Sequence, residues 1–176
     1  MEYASPQLLS GLVDKYRRLL HLRSVSHAEP PRTELRHLAR QFPGSLRELD
    51  RLPLASIEAR LHALERVLAD GAEPEPWMRL QVSYHGLMRA TLRVKRWSRS
   101  LPDEPAAALT ALAARYVPAA DEPALDFFGA ETLQAIRRPP SGRLQPLVLA
   151  AVARLHGTTP ELVESTLFLN PHWDTG

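Results

Sequence analysis

A chain of 176 residues with 44% hydrophobic and 24% charged side chains can bury a proper core, which argues against a disordered tail or a fibrous repeat. The absence of cysteine excludes a disulfide framework, thiolate catalysis and cysteine zinc sites, and it suits a reducing cytoplasm, the expected location. Net charge is only +2, no stretch approaches roughly 18 consecutive apolar residues, and residues 1–16 lack the order of a secretion signal, so neither a membrane span nor a signal peptide is expected.

Ser5-Pro6 reads as a helix start, with serine as cap and proline in the first turn. Leu8, Leu9, Leu12, Val13, Tyr16, Leu19 and Leu20 then recur at helical spacing as far as Leu22, while Lys15, Arg17 and Arg18 fall off the stripe. Residues 24–31 form a linker with two prolines. Thr33 opens a short helix to residue 41, with Leu35 and Leu38 inward. Phe42-Pro43-Gly44-Ser45 turns a corner into a second short helix over 46–52, because proline cannot donate a backbone hydrogen bond. Pro53 begins a helix to residue 69 whose stripe is Ile57, Leu61, Leu64, Val67 and Leu68. Glu58, Arg60, Glu65 and Arg66 are placed on its outer side, and Gly71 is its stop.

Residues 75–100 give the longest uninterrupted helical pattern. One stripe carries Trp77, Leu80, Tyr84, Leu87, Met88, Thr91 and Val94; the opposite one begins with Met78 and Val82, passes His85 and ends in Arg89, Arg93 and Arg96. The first half is therefore expected to be buried on two sides, and the second to be half exposed and basic. Between Trp77 and Ser100 stand six basic residues and no acidic one, so the remainder of the chain is net negative. Glu73 and Glu75 at one end, and Arg96 and Arg99 at the other, complement the helix dipole.

Asp103 is expected to cap a small-residue helix over 105–116, whose alanines suggest close packing on a neighbour. Residues 117–123 mark a subdomain boundary, followed by short helices over 124–128 and 131–138 and a turn-rich break at 137–142. Helices over 144–156 and 161–169 flank Gly157-Thr158-Thr159-Pro160. Ala153, Gly157 and Val163 stand at helix-turn-helix spacing, but Glu161 and Glu164 occupy the turns that would face phosphate.

Three groups of residues carry candidate chemistry. Arg89, Arg93 and Arg96, with Trp97 beside them and Arg137 and Arg138 further on, have the residue types that bind phosphates or stack on bases. Asp103, Glu104, Asp121 and Glu122 are available to neutralise them. His85 and Tyr84 are a candidate pocket, and Gly86 is expected to admit a crossing helix. The seven histidines contain no i,i+4 pair, and no phosphate loop, dinucleotide fingerprint, nucleophile elbow or calcium loop occurs. No catalytic residue, metal or cofactor is expected.

The expected fold is all-α, a multi-helix globular bundle around one long central helix over 75–100. A main domain spans 1–118, a small helix-turn-helix-like cluster spans 124–169, either packed with the first as one domain or loosely attached, and the tail over 170–176 is polar apart from Trp173. The expected function is a non-catalytic protein-interaction or regulatory module with a protein partner. The alternative is a nucleic-acid-binding regulator using the arginine stripe and the C-terminal helix pair. A third class, a small-molecule binder or enzyme at Tyr84 and His85, calls for a deep polar pocket there. Self-association through an uncovered helix face is compatible with the pattern.

Overall fold

The computed structural model describes residues 5–25, 31–39 and 52–167. Among them are eight α-helices and no strand: α1 Pro6–Val25, α2 Pro31–Ala39, α3 Leu54–Asp70, α4 Pro76–Trp97, α5 Pro105–Ala113, α6 Ala130–Arg137, α7 Gln145–His156 and α8 Pro160–Leu167. The fold is all-α around α4. The short helix expected over 46–52, except Leu52, and the tail with Trp173 lie outside the described residues.

Local signals place most helix ends where the sequence puts them. The Ser5 hydroxyl accepts the Leu8 N–H at 3.3 Å and opens α1. Gly71 closes α3 in the left-handed conformation, its N–H donating to the Val67 carbonyl at 3.0 Å. Thr159 caps α8 by accepting the Leu162 N–H at 3.2 Å. The α4 helix ends at Trp97 and tightens into a 3-10 turn over Ser98–Ser100. Several details depart from expectation. The α2 helix begins at Pro31, not after Thr33, because proline suits a first helical turn, and α5 ends at Ala113, short of residue 116. Glu104, not Asp103, caps α5, because its carboxylate reaches the N–H groups of both Ala106 and Ala107, at 3.0 and 2.7 Å. Most α5 alanines face solvent. Ala108 packs inward with Leu112, so the alanine content reflects helix propensity more than close packing.

Three apolar clusters cover α4 on different sides. Trp77, Met78 and Val82 join α1, α2 and α3 through Leu12, Tyr16, Leu19, Leu35, Ile57 and Leu64. Leu80, Tyr84, Leu87 and Met88 meet Val148, Leu149 and Val152 of α7 and Val163 and Leu167 of α8. Ala90 and Val94 meet Leu112, Tyr116, Phe128, Leu133 and Ile136. A helix apolar on all sides is a core helix, and α4 is buried at nearly every position from Trp77 to Thr91. Full burial of one such large side chain contributes about 1.5–3 kcal/mol, before the cost of ordering the chain.

Arg60 corrects the placement of charge on α3. It is 5% exposed, its guanidinium lies 4.5 Å from the Trp77 ring, and its Nη2 donates to the Thr166 carbonyl at 2.9 Å. An aromatic face and an unsatisfied carbonyl at the end of α8 are both good seats for a cation, so the side chain turns inward.

Candidate functional site

The 117–123 segment leaves α5 and lies across the middle of α4. What approaches Gly86 is this segment, not a crossing helix. A Cβ at residue 86 would overlap the Asp121 carbonyl oxygen and stand 2.7 Å from its carbonyl carbon, so only glycine admits the contact. The segment is tied at its far end by the Tyr116 hydroxyl, which donates to the Pro123 carbonyl at 2.6 Å. Within it, the Ala119 N–H donates to Glu122 Oε1 at 2.7 Å.

Asp121 and Glu122 bring the segment's charge onto the arginine stripe. Arg89 pairs with Asp121 through Nη2 and with Glu122 through Nε at 3.3 Å; Arg93 Nη2 reaches Glu122 Oε1 at 3.1 Å. The Glu122 side chain is wholly buried, whereas Arg89 remains 44% exposed. Arg93 also lies 5.5 Å from the Trp97 ring and 5.2 Å from that of Tyr116, and Arg115 stands 4.6 Å from Trp97. Two residues of the stripe are thus paired with carboxylates of the fold, and the indole beside them already carries two guanidinium groups.

Beneath the segment, α1 and α4 enclose a half-open pocket of about 290 Å³. Lys15 and Gly11 come from α1, His85 and Arg89 from α4, and Ala119, Ala120 and Asp121 from the segment; Leu8, Leu12 and Val82 give it an apolar wall. His85 is 2% exposed. Burial, then the Lys15 and Arg89 charges, hold its imidazole well below the usual histidine range, so it is neutral at physiological pH. Burial and Arg89 also pull the Lys15 ammonium down to about 8, with Asp121 opposing them. Tyr84 lies elsewhere: it packs with α7 and α8, and burial raises its phenol above the ordinary range. His85 and Tyr84 therefore serve different surroundings, as neighbours on a helix must.

The α1 pattern puts Lys15 off the apolar stripe with Arg17 and Arg18, but its half-buried position at the border of that stripe brings it into the pocket. A signal was present, since the chain has two lysines against twenty arginines. Both lysines occupy half-buried positions: Lys15 lines the pocket, and Lys95 Nζ donates to the Arg137 carbonyl at 2.7 Å.

The remaining basic candidates gather at the far end of α4. Arg99, Arg137 and Arg138 line a polar depression of about 450 Å³ with Asp103 and Gln134. Arg137 Nη2 donates to the Pro102 carbonyl at 2.7 Å, and its Nη1 stands 3.8 Å from Asp103. The C-terminal ends of α4 and α6 meet here, and cations offset the partial negative charge of their carbonyls. Arg96 is exposed, with no carboxylate paired to it among the described residues.

The α7–α8 pair turns at Gly157, which is left-handed, with its N–H on the Ala153 and Arg154 carbonyls. Val163, Thr166 and Leu167 face inward, while Leu155 and Leu162 stay 46% and 53% exposed beside Glu161 and Glu164. His156 meets the Ser83 hydroxyl at 2.7 Å. Among the described residues no group of three or more histidine, aspartate or glutamate side chains is placed to hold a metal ion, and no helix is long and apolar enough to cross a membrane. No known protein family, curated protein or solved structure matches the chain.

Proposed function

We propose that this chain is a non-catalytic interaction and regulatory module that docks a protein partner on its α7–α8 face. The carrying observation is the exposure of Leu155 and Leu162 on either side of the Gly157 turn, beside exposed Glu161 and Glu164. Two large apolar side chains flanked by carboxylates suit a partner helix that is apolar on one face and basic at its edge. A second copy of the chain is the competing occupant, read from oligomeric state. A cytoplasmic setting belongs to the same proposal.

The test is affinity enrichment from the source cells with the full chain and a Leu155→Asp/Leu162→Asp chain in parallel, their melting temperatures compared first. Both positions already face water, so the variant is expected to fold. A protein retained by the parent and lost from the variant supports the proposal. Equal recovery by both chains, or recovery by neither, rejects it.

Nucleic-acid binding is the second reading, favoured by Arg96, Arg99 and Arg138, which are exposed and have no carboxylate partner among the described residues. It predicts association with duplex or single-stranded nucleic acid that weakens steeply with salt and is lost when these three become alanine. Binding indifferent to the triple change would sink it.

A further inference from the structure

We infer that the pocket between α1 and α4 under the 117–123 segment binds a small organic monoanion, a carboxylate carried on a short apolar body. It is independent of the α7–α8 face proposed above.

Charge balance defines the ligand. Lys15, Arg89 and Arg93 face Asp121 and Glu122 around the segment; both carboxylates are committed to the two arginines. Three cations against two anions leave one positive charge, and it resides on Lys15. Among the described residues the Lys15 ammonium has no hydrogen-bond or ion-pair partner. A cation that gives up part of its hydration to apolar walls gains from a counter-charge placed beside it. The lowered affinity of Lys15 for its proton has the same origin, and one anion in the cavity would compensate it. His85 in its neutral form adds no charge to this count.

Shape supplies the rest. At about 290 Å³ the space is at the small end for a ligand site, and its Leu8, Leu12, Val82 and alanine walls suit a few carbons beside the charged group. The roof is fixed, since the Asp121 carbonyl rests on Gly86 and Glu122 anchors the segment to two arginines. The mouth is open at Gly11, where an added Cβ meets nothing within 4 Å.

Benzoate and isobutyrate, their neutral amides, and inorganic phosphate are titrated into the full chain, with binding followed by calorimetry and saturation-transfer NMR. Lys15→Gln and Gly11→Leu are titrated in parallel. One or both carboxylates are expected to bind, with their amides at least about tenfold weaker. Lys15→Gln is expected to weaken binding by about tenfold or more, and Gly11→Leu to abolish it while the chain melts no lower than the parent. Equal binding of amide and acid overturns the anion. Phosphate binding more tightly than either acid overturns the carboxylate. Failure of every probe to bind, or binding unchanged in both variants, overturns the site. Because Gly11 is solvent-facing on α1, its variant decides the matter even if Lys15→Gln melts early.

Discussion

The first turns of α4 and its last turns are both covered by neighbours, but by different means. Near Trp77 the cover is mostly apolar, with the Arg60 guanidinium over the indole as its one buried cation among the described residues: Tyr16 and Trp77 meet edge to face at 6.2 Å, and Leu19, Leu35, Ile57 and Leu64 close around Met78. A neutral hydrogen bond, from the Tyr16 hydroxyl to Gln81 Oε1 at 2.6 Å, crosses that region. From Gly86 to Arg93 the cover on one side is a loop, and its grip is ionic, through a Glu122 carboxylate with no access to water. Apolar cover is non-directional and degrades in steps as methylenes are lost. Ionic cover is all or none, because removing one partner leaves the others without a counter-charge in a place chosen for the pair.

The comparison breaks most readily at Glu122. Glu122→Ala is expected to cost about 3 kcal/mol, the lower end for a broken buried pair, since Arg89 still reaches water. Denaturant unfolding gives the value, and adding Arg93→Met should cost less than the two single changes summed. Strict additivity would show that the pair is not coupled and that the segment is held by other contacts.

Gly86→Ala comes next, at about 1–3 kcal/mol, because the new methyl displaces the Asp121 carbonyl from the helix surface. Amide hydrogen exchange should locate the damage in residues 117–123 and spare α1 and α3. Uniform loss of protection across the chain would contradict a local clamp.

At the apolar end Tyr16→Phe is expected to cost about 1–2 kcal/mol, by leaving the Gln81 carbonyl oxygen buried without its donor. Ile57→Val, at about 0.5–1.5 kcal/mol, provides the graded loss that the ionic end lacks. An Ile57→Val chain as damaged as Glu122→Ala would remove the contrast between the two ends.

The effect of pH is smallest near neutrality. The folded-state imidazoles of His85 and His156 are held below 6.5, both chiefly by burial, so below that pH the unfolded chain binds more protons than the folded one. Their contribution is fully present above the unfolded value and is lost as pH falls. Lys15 acts in the alkaline window: between about 8 and 10.5 the unfolded chain holds the proton more tightly, so stability attributable to Lys15 rises with pH there. Thermal melts from about pH 7.5 down to pH 5 should show falling midpoints that flatten in His85→Gln. A profile unaltered by that change would contradict the buried neutral imidazole.

Much of the fold was legible in advance. The period of Leu9, Leu12, Val13, Tyr16 and Leu19, and the two stripes of α4, are consequences of 3.6 residues per turn and need no knowledge of neighbours. Helix ends at Ser5, Gly71 and Thr159 follow from hydrogen bonds within a few residues. The pocket is half legible: the pattern marks His85 as a pocket residue, pairs it with Tyr84, which lies elsewhere, and leaves Lys15 off the α1 stripe with no role. The α3 pattern puts Arg60 on the outer side because its partners, Trp77 and the Thr166 carbonyl, come from other helices.

The sequence by itself determined that the chain is helical, where most of its helices begin, and that the first half of α4 is apolar on two sides while its second half is basic. Each of those follows from short-range sterics, local hydrogen bonding and the period of apolar residues. Only the tertiary structure decided that Asp121 and Glu122 engage Arg89 and Arg93, that Gly86 receives a loop carbonyl, and that Lys15 and His85 share a cavity. Those outcomes rest on through-space charge compensation and on the exact fit of a backbone against a missing Cβ, which no local pattern encodes.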